Sequence, residues 1–416
     1  MAARRIAGAE EARRRAEEAR HRAAPYGPEV DPAVFAAPPE RTRVSSMTAL
    51  AEELGAAALE VGVEPSEKSR AGSFFQVDRS PIYTRIQERH RGKLELLPLS
   101  DALSSSDRLP EHWWRALDAG LDRYTAAAEL ERTGGFFLRV LAGERIDEPV
   151  QACLLVQENN VSQNVHNVVV VEEGAELQMI TGCTIHPWVE SGLHVGVTEI
   201  YLGEGATLSD TRVHNWSKGF HVRPRTGVVG GRDSTYFSNY ILLHPVRSEQ
   251  VFARMSLEGE NARAQLHSIV VGLGDSIVDL GAHIELVGRG ARAESISRAL
   301  AQDRSRIYLR GTLVGKHDES RGHLDCRGML LSQRAAIETV PELVAESAPG
   351  CQLSHEAAIG PVAEDAVEYL MTRGITRDDA VSVLTRGFIN LKLPGLPEVL
   401  AQRLRQVIAR TALSSM

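Results

Sequence analysis

Gly174-Ala175-Glu176-Leu177 is answered at Gly205-Ala206-Thr207-Leu208. Looser versions begin at Ser234 (STYF), Asn261 (NARA), Gly290 (GARA), Ser320 (SRGH) and Gly350 (GCQL), so successive starts lie 31, 29, 27, 29, 30 and 30 residues apart. A near-constant period in this range marks a stacked array of supersecondary units. Between the turns the apolar period is two. Val278-Asp279-Leu280-Gly281-Ala282-His283-Ile284-Glu285-Leu286 alternates, as do residues 200–202 and 307–309, while 168–171 is a short apolar run. Units of strand and tight turn at this spacing leave no room for a helix. The expected core, over residues 136–352, is a β-solenoid of about seven coils, each hydrogen-bonded to the next with aliphatic side chains stacked inside. The competing arrangement is a β-sandwich with irregular hairpins.

Composition agrees with a folded, aliphatic chain. Of 416 residues, 43% are hydrophobic and 25% charged, but only 5% are aromatic. A narrow coil interior with little space for large rings accounts for that shortage. No run of apolar residues is long enough for a transmembrane helix. Residues 1–20 carry charges where a secretory signal needs an apolar centre, and four cysteines form no disulfide framework. Both point to a reducing cytoplasm. A net charge of -8 argues against general nucleic-acid binding.

The flanks read as helical. Residues 10–22 carry Glu and Arg at helical spacings with almost no apolar stripe, the pattern of a solvated helix or frayed arm. Five prolines between 25 and 43 make an extended linker, closing a first segment over 1–43. A helical region is expected over 44–135. It contains one helix over about 45–59, with Ser46 as N-cap and Gly62 as stop, and another over 111–131 with Trp114, Leu117, Leu121 and Tyr124 on one face. Residues 72–78 (GSFFQVD) and 83–86 are ambiguous. A C-terminal helical domain is expected over 353–416. Gly374 is its first stop, Thr376 and Asp379 have capping-box spacing, and a last helix opens at Pro397 with Leu400, Leu404, Val407 and Ile408.

No phosphate-binding loop, GxSxG elbow, HExxH or CxxC pair is present, so no ATP site is expected in this chain. Two places could carry chemistry. In Leu324-Asp325-Cys326-Arg327-Gly328-Met329-Leu330, alternation puts Leu324, Cys326 and Leu330 on one face and Asp325 and Arg327 on the other. With the charges outside, Cys326 points inward, where a cysteine is ordinarily an inert small hydrophobe. In Cys351-Gln352-Leu353-Ser354-His355-Glu356, imidazole and carboxylate stand side by side where strand gives way to helix. They suit iron or zinc, yet in a regular strand they point to opposite faces. Alternatively Glu356 is a first-turn acid of the next helix. Cys183 and His186 are too few for a metal site, and the histidines between 166 and 323 show no ligand spacing.

These residues carry a resemblance. Residues 211–388 are similar to the SufB/SufD family of iron–sulfur cluster assembly proteins, and the likeness extends over roughly 70–390. Ser354-His355-Glu356-Ala357-Ala358-Ile359-Gly360 resembles the family's His-Glu-Ala segment. Tyr369-Leu370-Met371-Thr372-Arg373-Gly374-Ile375 and Arg386-Gly387-Phe388 resemble its Met-x-Arg-Gly and Gly-Phe segments. Thr211-Arg212-Val213-His214-Asn215-Trp216 resembles its Gln-Asn-Trp strand, with His for Gln, and 72–78 resembles a segment ahead of its core.

The resemblance implies a right-handed parallel β-helix flanked by N- and C-terminal α-helical regions. It implies a non-enzymatic scaffold on which a transient iron–sulfur cluster is built at a dimer interface, driven by ATP hydrolysis in a SufC-like ABC ATPase. Docking would use Tyr369, Met371, Arg373, Gly374, Arg386, Gly387 and Phe388. Sulfur would come from a cysteine desulfurase or a sulfur-transfer protein. By position Cys326 matches the sulfur acceptor of the SufB branch, although its flanks differ from Asn-Cys-Asp-Ser-Leu-Leu. Sulfur would then be handed along a shielded interior. His355 and Glu356 match the candidate cluster ligands, and Cys351 lies near a SufD-type cysteine position. SufB-like chemistry with a SufD-like cysteine suggests a homodimer. The other functions open to such a chain are an interaction platform without metal chemistry and a polysaccharide-processing β-helix enzyme.

Overall fold

In the computed structural model, which describes residues 2–106, 109–346 and 349–389, the repeated turn opens successive strands of one stack. Seven helices are described: α1 (Ala2–Ala19), α2 (Glu52–Glu60), α3 (Leu99–Ser105), α4 (Leu109–His112), α5 (Arg123–Leu130), α6 (Glu364–Met371) and α7 (Arg377–Ile389). The first strands are β1 (Gly72–Val77), β2 (Ser80–Ile86), β3 (Leu94–Pro98), β4 (Phe136–Val140), β5 (Val150–Val156) and β6 (Ser162–Val171). The coils continue through β7 (Glu176–Ile185), β8 (Ser191–Leu202), β9 (Thr207–Asn215), β10 (Gly219–Gly230), β11 (Thr235–Leu242) and β12 (Ser248–Leu257). They end with β13 (Arg263–Gly272), β14 (Ile277–Leu286), β15 (Arg292–Ala301), β16 (Arg306–Gly315), β17 (Arg321–Leu330), β18 (Ala336–Ala345) and β19 (Gln352–Pro361).

From β5 onward, odd strands pair in parallel in one sheet and even strands in the other. The ten-stranded odd sheet runs β19-β17-β15-β13-β11-β9-β7-β5-β1-β2, and the nine-stranded even sheet runs β18-β16-β14-β12-β10-β8-β6-β4-β3. The product is a parallel β-solenoid of about eight turns. The turns explain the period. Gly174, Gly205 and Gly290 adopt positive φ, as do Asp233 and Asn261 at equivalent places. The following residue, Ala175, Ala206, Ser234, Ala262 or Ala291, is fully buried. Two echoes were therefore misphased by one residue: strand register aligns Thr207 with Thr235 and Arg292 with Arg321, which makes Ser234 and Ser320 counterparts of the alanine. Successive turns stack tightly. A Cβ on Gly288 would lie 2.0 Å from the Gly259 carbonyl oxygen, so this edge accepts no larger residue without displacing backbone.

The lumen is not too narrow for rings. Trp216 stacks on Phe220 at 4.7 Å, with Tyr236 and Tyr240 also inside, whereas later coils are filled by Val278, Ile284, Leu309, Leu313 and Leu324. Aromatic scarcity thus belongs to the later coils.

The flanks depart from the expected pattern in four places. First, α1 is no free arm: Ala12, Ala16 and Ala19 are fully buried in the cluster that holds Tyr124 and Ala128 of α5. An alanine stripe lets helices approach closely, and a search for large apolar residues does not see it. Second, the Pro-rich segment is a fixed strap. Ala36 bridges to Val161, and the Arg41 guanidinium donates to Asp78 at 2.7 Å. Third, the region over 44–135 contains β1, β2 and β3 as well as helices, so the sheets begin before residue 136. The helix over 111–131 is broken after His112, with Trp114 at positive φ. The buried Glu199 carboxylate accepts from the Trp114, Ala116 and Leu117 amides, and Asp122 then caps α5. The helix over 45–59 is likewise a 3-10 turn (Met47–Ala49) followed by α2, whose N-cap is Ala51 rather than Ser46, while Gly62 does stop it at positive φ. Fourth, the boundary at 353 falls inside β19. The helical part begins at Glu364, with Glu364 and Asp365 as its first-turn acids. Gly374 has positive φ, and the Asp379 amide donates to Thr376 Oγ1 as capping requires. The helix expected from Pro397 lies outside the described residues.

Candidate functional site

Cys326 faces the lumen, as alternation requires, and is buried beside Leu324. On the opposite face Asp325 is clamped by Arg298 at 2.7 Å and Arg327 at 3.1 Å. Burial opposes ionisation of Asp325, but the two guanidiniums outweigh it and hold the carboxyl below its usual range. The same surroundings protect the thiol. Burial first, then the Asp325 charge, push the Cys326 pKa up to about 11 against a smaller opposing pull from Arg298. Cys326 in the isolated chain is a thiol at neutral pH.

The strand above it is β19, the last of the odd sheet. Register sets Leu324 against His355, Asp325 against Glu356, and Cys326 against Ala357. His355 therefore shares the lumenal phase with Cys326. Its Nε2 is buried without a hydrogen-bond partner among the described residues. Glu356 takes the outer phase, where Arg327 donates to it at 3.0 Å. The structure thus puts His355 on the next strand above Leu324, two residues from the position over Cys326, and sends Glu356 to the other side of the sheet. Cys351 is half-buried ahead of β19 and packs against Gly315, where an added Cβ would lie 2.1 Å from its Sγ. Burial and Asp318 raise its pKa.

Nothing among the described residues closes this end of the stack. Leu343 and Ile359 belong to lumenal rows, above Leu313 and Gly328, yet both are exposed, as is Val340. A terminal coil with apolar lumen side chains in water and free strand edges is an unfinished surface.

Deeper in the lumen lies a second group that sequence reading missed. Cys183 and His214 are register partners on β7 and β9. Glu249 reaches His214 Nδ1 at 2.8 Å, and the Tyr240 hydroxyl lies 3.0 Å from the same nitrogen and donates to Glu249. Burial opposes charging of His214, but Cys183 and Glu249 outweigh it and raise its pKa to about 9. The signal was available only through register, because Cys183, His214 and Glu249 lie on three separate strands.

A polar row leads from Thr181, two residues before Cys183 on the same strand, to Cys326. Arg212, Tyr240, Ser268, Ser297 and Cys326 are successive register partners on the lumenal side. The Ser268 hydroxyl donates to Ser297 at 2.9 Å, and a cavity of about 60 Å³ lies beside Arg212, Tyr240, Ser268 and Ser297. Five strand steps separate the rows of Cys183 and Cys326, roughly 24 Å. These hydroxyls and the Arg212 guanidinium put polar groups into an otherwise largely apolar, shielded interior.

The C-terminal segments divide. Phe388 and Ile389 pack against Leu300 and Val271 on the outer face of the odd sheet, and Thr385 lies 3.9 Å from the Met329 sulfur. Tyr369, Met371 and Arg373 are exposed, with Arg373 over the Tyr369 ring at 5.2 Å, and Gly374, Arg386 and Gly387 are exposed beside them. Among the described residues no helix is long and apolar enough to cross a membrane.

Comparison with known proteins agrees with this geometry. The SufBD core domain of SUF-system FeS cluster assembly matches residues 154–388. An iron–sulfur cluster assembly SufBD family protein of Methanothermobacter thermautotrophicus is 41% identical over 401 residues, covering 95% of this chain and 97% of the relative. One from Archaeoglobus fulgidus is 39% identical over 350 residues, covering 84% and 92%. The iron–sulfur cluster assembly protein SufB of Bacillus subtilis is 24% identical over 358 residues, covering 83% and 75%. The chain belongs to the SufB/SufD family of SUF-system iron–sulfur cluster assembly proteins.

Proposed function

We propose that this chain is the scaffold on which a nascent iron–sulfur cluster is built at the open end of the solenoid, where a second copy of the chain completes the site. The observation that carries this reading is the His355 Nε2, unpartnered among the described residues, on the strand next to that of Cys326 and opposite Leu324, at an apolar mouth that the described residues leave uncovered. A buried imidazole nitrogen without a hydrogen bond costs stability unless something binds it. Iron is a fitting cargo for it. Glu356, on the outer face of the same strand, would serve the cluster by releasing Arg327 or by meeting the second copy.

Sulfur reaches Cys326 through the lumen in this reading. Cys183, next to His214, is the inner receiving point, and the row Tyr240, Ser268, Ser297 is the path. The donor is a cysteine desulfurase or its transfer protein in the reducing cytoplasm. A thiol with a pKa near 11 is a poor nucleophile at neutral pH, so acceptance at Cys326 needs a base or a cation beyond Arg298, whose pull is outweighed by burial and Asp325. That need fits a site finished by another subunit. A SufC-like ABC ATPase docks on Tyr369, Met371, Arg373, Gly374, Arg386 and Gly387, and supplies the ATP hydrolysis. Phe388 acts from beneath by holding α7 on the sheet. Cys351, packed on Gly315, has the weakest case as a ligand.

Anaerobic reconstitution with iron, sulfide, the ATPase partner and ATP tests the proposal. A brown protein with charge-transfer absorption is expected, much diminished by Cys326→Ser, His355→Ala or Glu356→Ala. A protein that stays colourless, or variants that colour as fully as the wild type, would refute it.

A further inference from the structure

Outside the lumen, the odd sheet carries a ladder of cations. Arg263, Arg292 and Arg321 are register partners on β13, β15 and β17, so their stems rise in parallel about 4.8 Å apart. All three are exposed, and none takes part in an ion pair or side-chain hydrogen bond among the described residues. Neighbouring arginines on the outer surface differ: Arg304, Arg310, Arg327 and Arg232 are each paired with a carboxylate. Like charges on directly adjacent strands repel one another. The ladder forms one wall of a groove of about 730 Å³. Phe237, Gln265 and Glu294 are successive register partners on β11, β13 and β15, the latter two lying two residues beyond Arg263 and Arg292, and they also line it.

We propose that this groove is a docking site for an acidic peptide segment of a partner protein, held by carboxylates on Arg263, Arg292 and Arg321. Guanidiniums bind carboxylates through paired hydrogen bonds, and three in a row fit a run of acidic residues. The floor favours a peptide over a nucleic-acid strand. Glu294, mid-groove, repels a continuous phosphate backbone but accepts a peptide amide or a basic side chain, and Phe237 offers a seat for one apolar residue. Residues 390–416 do not have the matching charge, because they carry Lys392, Arg403, Arg405 and Arg410 against Glu398. The inference stands apart from the cluster chemistry at the mouth and holds whether or not Cys326 accepts sulfur.

The test is fluorescence anisotropy with a labelled Glu-rich decapeptide on the full chain. The comparators are a single-stranded deoxythymidine decamer and inorganic tripolyphosphate. Saturable peptide binding that weakens with salt is expected. Arg263→Gln/Arg292→Gln/Arg321→Gln should weaken it by about tenfold or more, and the central Arg292→Glu alone by several-fold. A triple variant with the same charge change outside the groove, Arg91→Gln/Arg145→Gln/Arg232→Gln, should bind like the wild type. No peptide binding, equal losses in both triple variants, or tighter binding of the decamer or tripolyphosphate at the same arginines would each overturn the proposal.

Discussion

Cys183 and His214 meet in register on adjacent strands inside the solenoid, and Glu249 reaches the same imidazole from the opposite sheet at 2.8 Å. A histidine raised from 6.5 to about 9 stabilises the fold fully below the unfolded value, and that stability is lost as pH rises through the folded value. The unfolding free energy should therefore fall between about pH 6.5 and 9, with His214 accounting for as much as ~3 kcal/mol. Chemical denaturation across this range measures it. His214→Phe should flatten the profile, and an unchanged slope in that variant would contradict the assignment.

Cys326 should be slow to alkylate. At pH 8 a thiol with a pKa near 11 is ionised to only about one part in a thousand. Iodoacetamide labelling read by peptide mass spectrometry should accelerate in Asp325→Asn, which removes a neighbouring negative charge, and slow in Arg298→Gln, which removes a positive one. The reverse order would show that access, not charge, controls this thiol.

The uncovered coil predicts self-association. Leu343→Lys or Ile359→Lys puts a charge into the apolar mouth and should convert a dimer to a monomer in sedimentation velocity. The fold should be little affected, because both side chains are already exposed. A wild-type chain that remains monomeric at tens of micromolar would count against pairing at this end.

The C-terminal helices should separate stability from docking. Phe388→Ala removes a ring packed against the odd sheet and should cost about 1–3 kcal/mol in thermal or denaturant unfolding. Tyr369→Ala and Met371→Ala should leave the melting temperature unchanged yet weaken capture of the ATPase partner in a pull-down. Equal capture by wild type and both variants would move the docking surface elsewhere.

The repeat was legible because five successive turns place a positive φ ahead of a small buried residue, and that demand leaves Gly-Ala and its echoes in the sequence. The inward phase of Cys326 was legible for a similar reason, since strict alternation around Asp325 and Arg327 admits one orientation. The phase errors at Ser234 and Ser320 arose where Asp233 and Glu319 stand in the place of glycine. What stayed hidden depends on which strands become neighbours. The Cys183–His214–Glu249 group and the arginine ladder join residues some thirty positions apart, and no local pattern marks them. The helix over 111–131 failed because the backbone there is captured by Glu199, a tertiary contact that overrides the periodicity. His355 and Glu356 were assigned to a junction because β19, lacking a strand above it, loses the apolar alternation that marks strands inside the stack.

The uniform stacking also makes the solenoid a ruler. Deleting one whole coil between Cys183 and Cys326 would shorten their separation by one strand spacing, about 4.8 Å, and leave both ends chemically intact. Distance between two lumenal side chains can thus be adjusted in fixed steps by gain or loss of a single unit. Relatives with different coil numbers would then hold equivalent side chains at discrete, calculable separations.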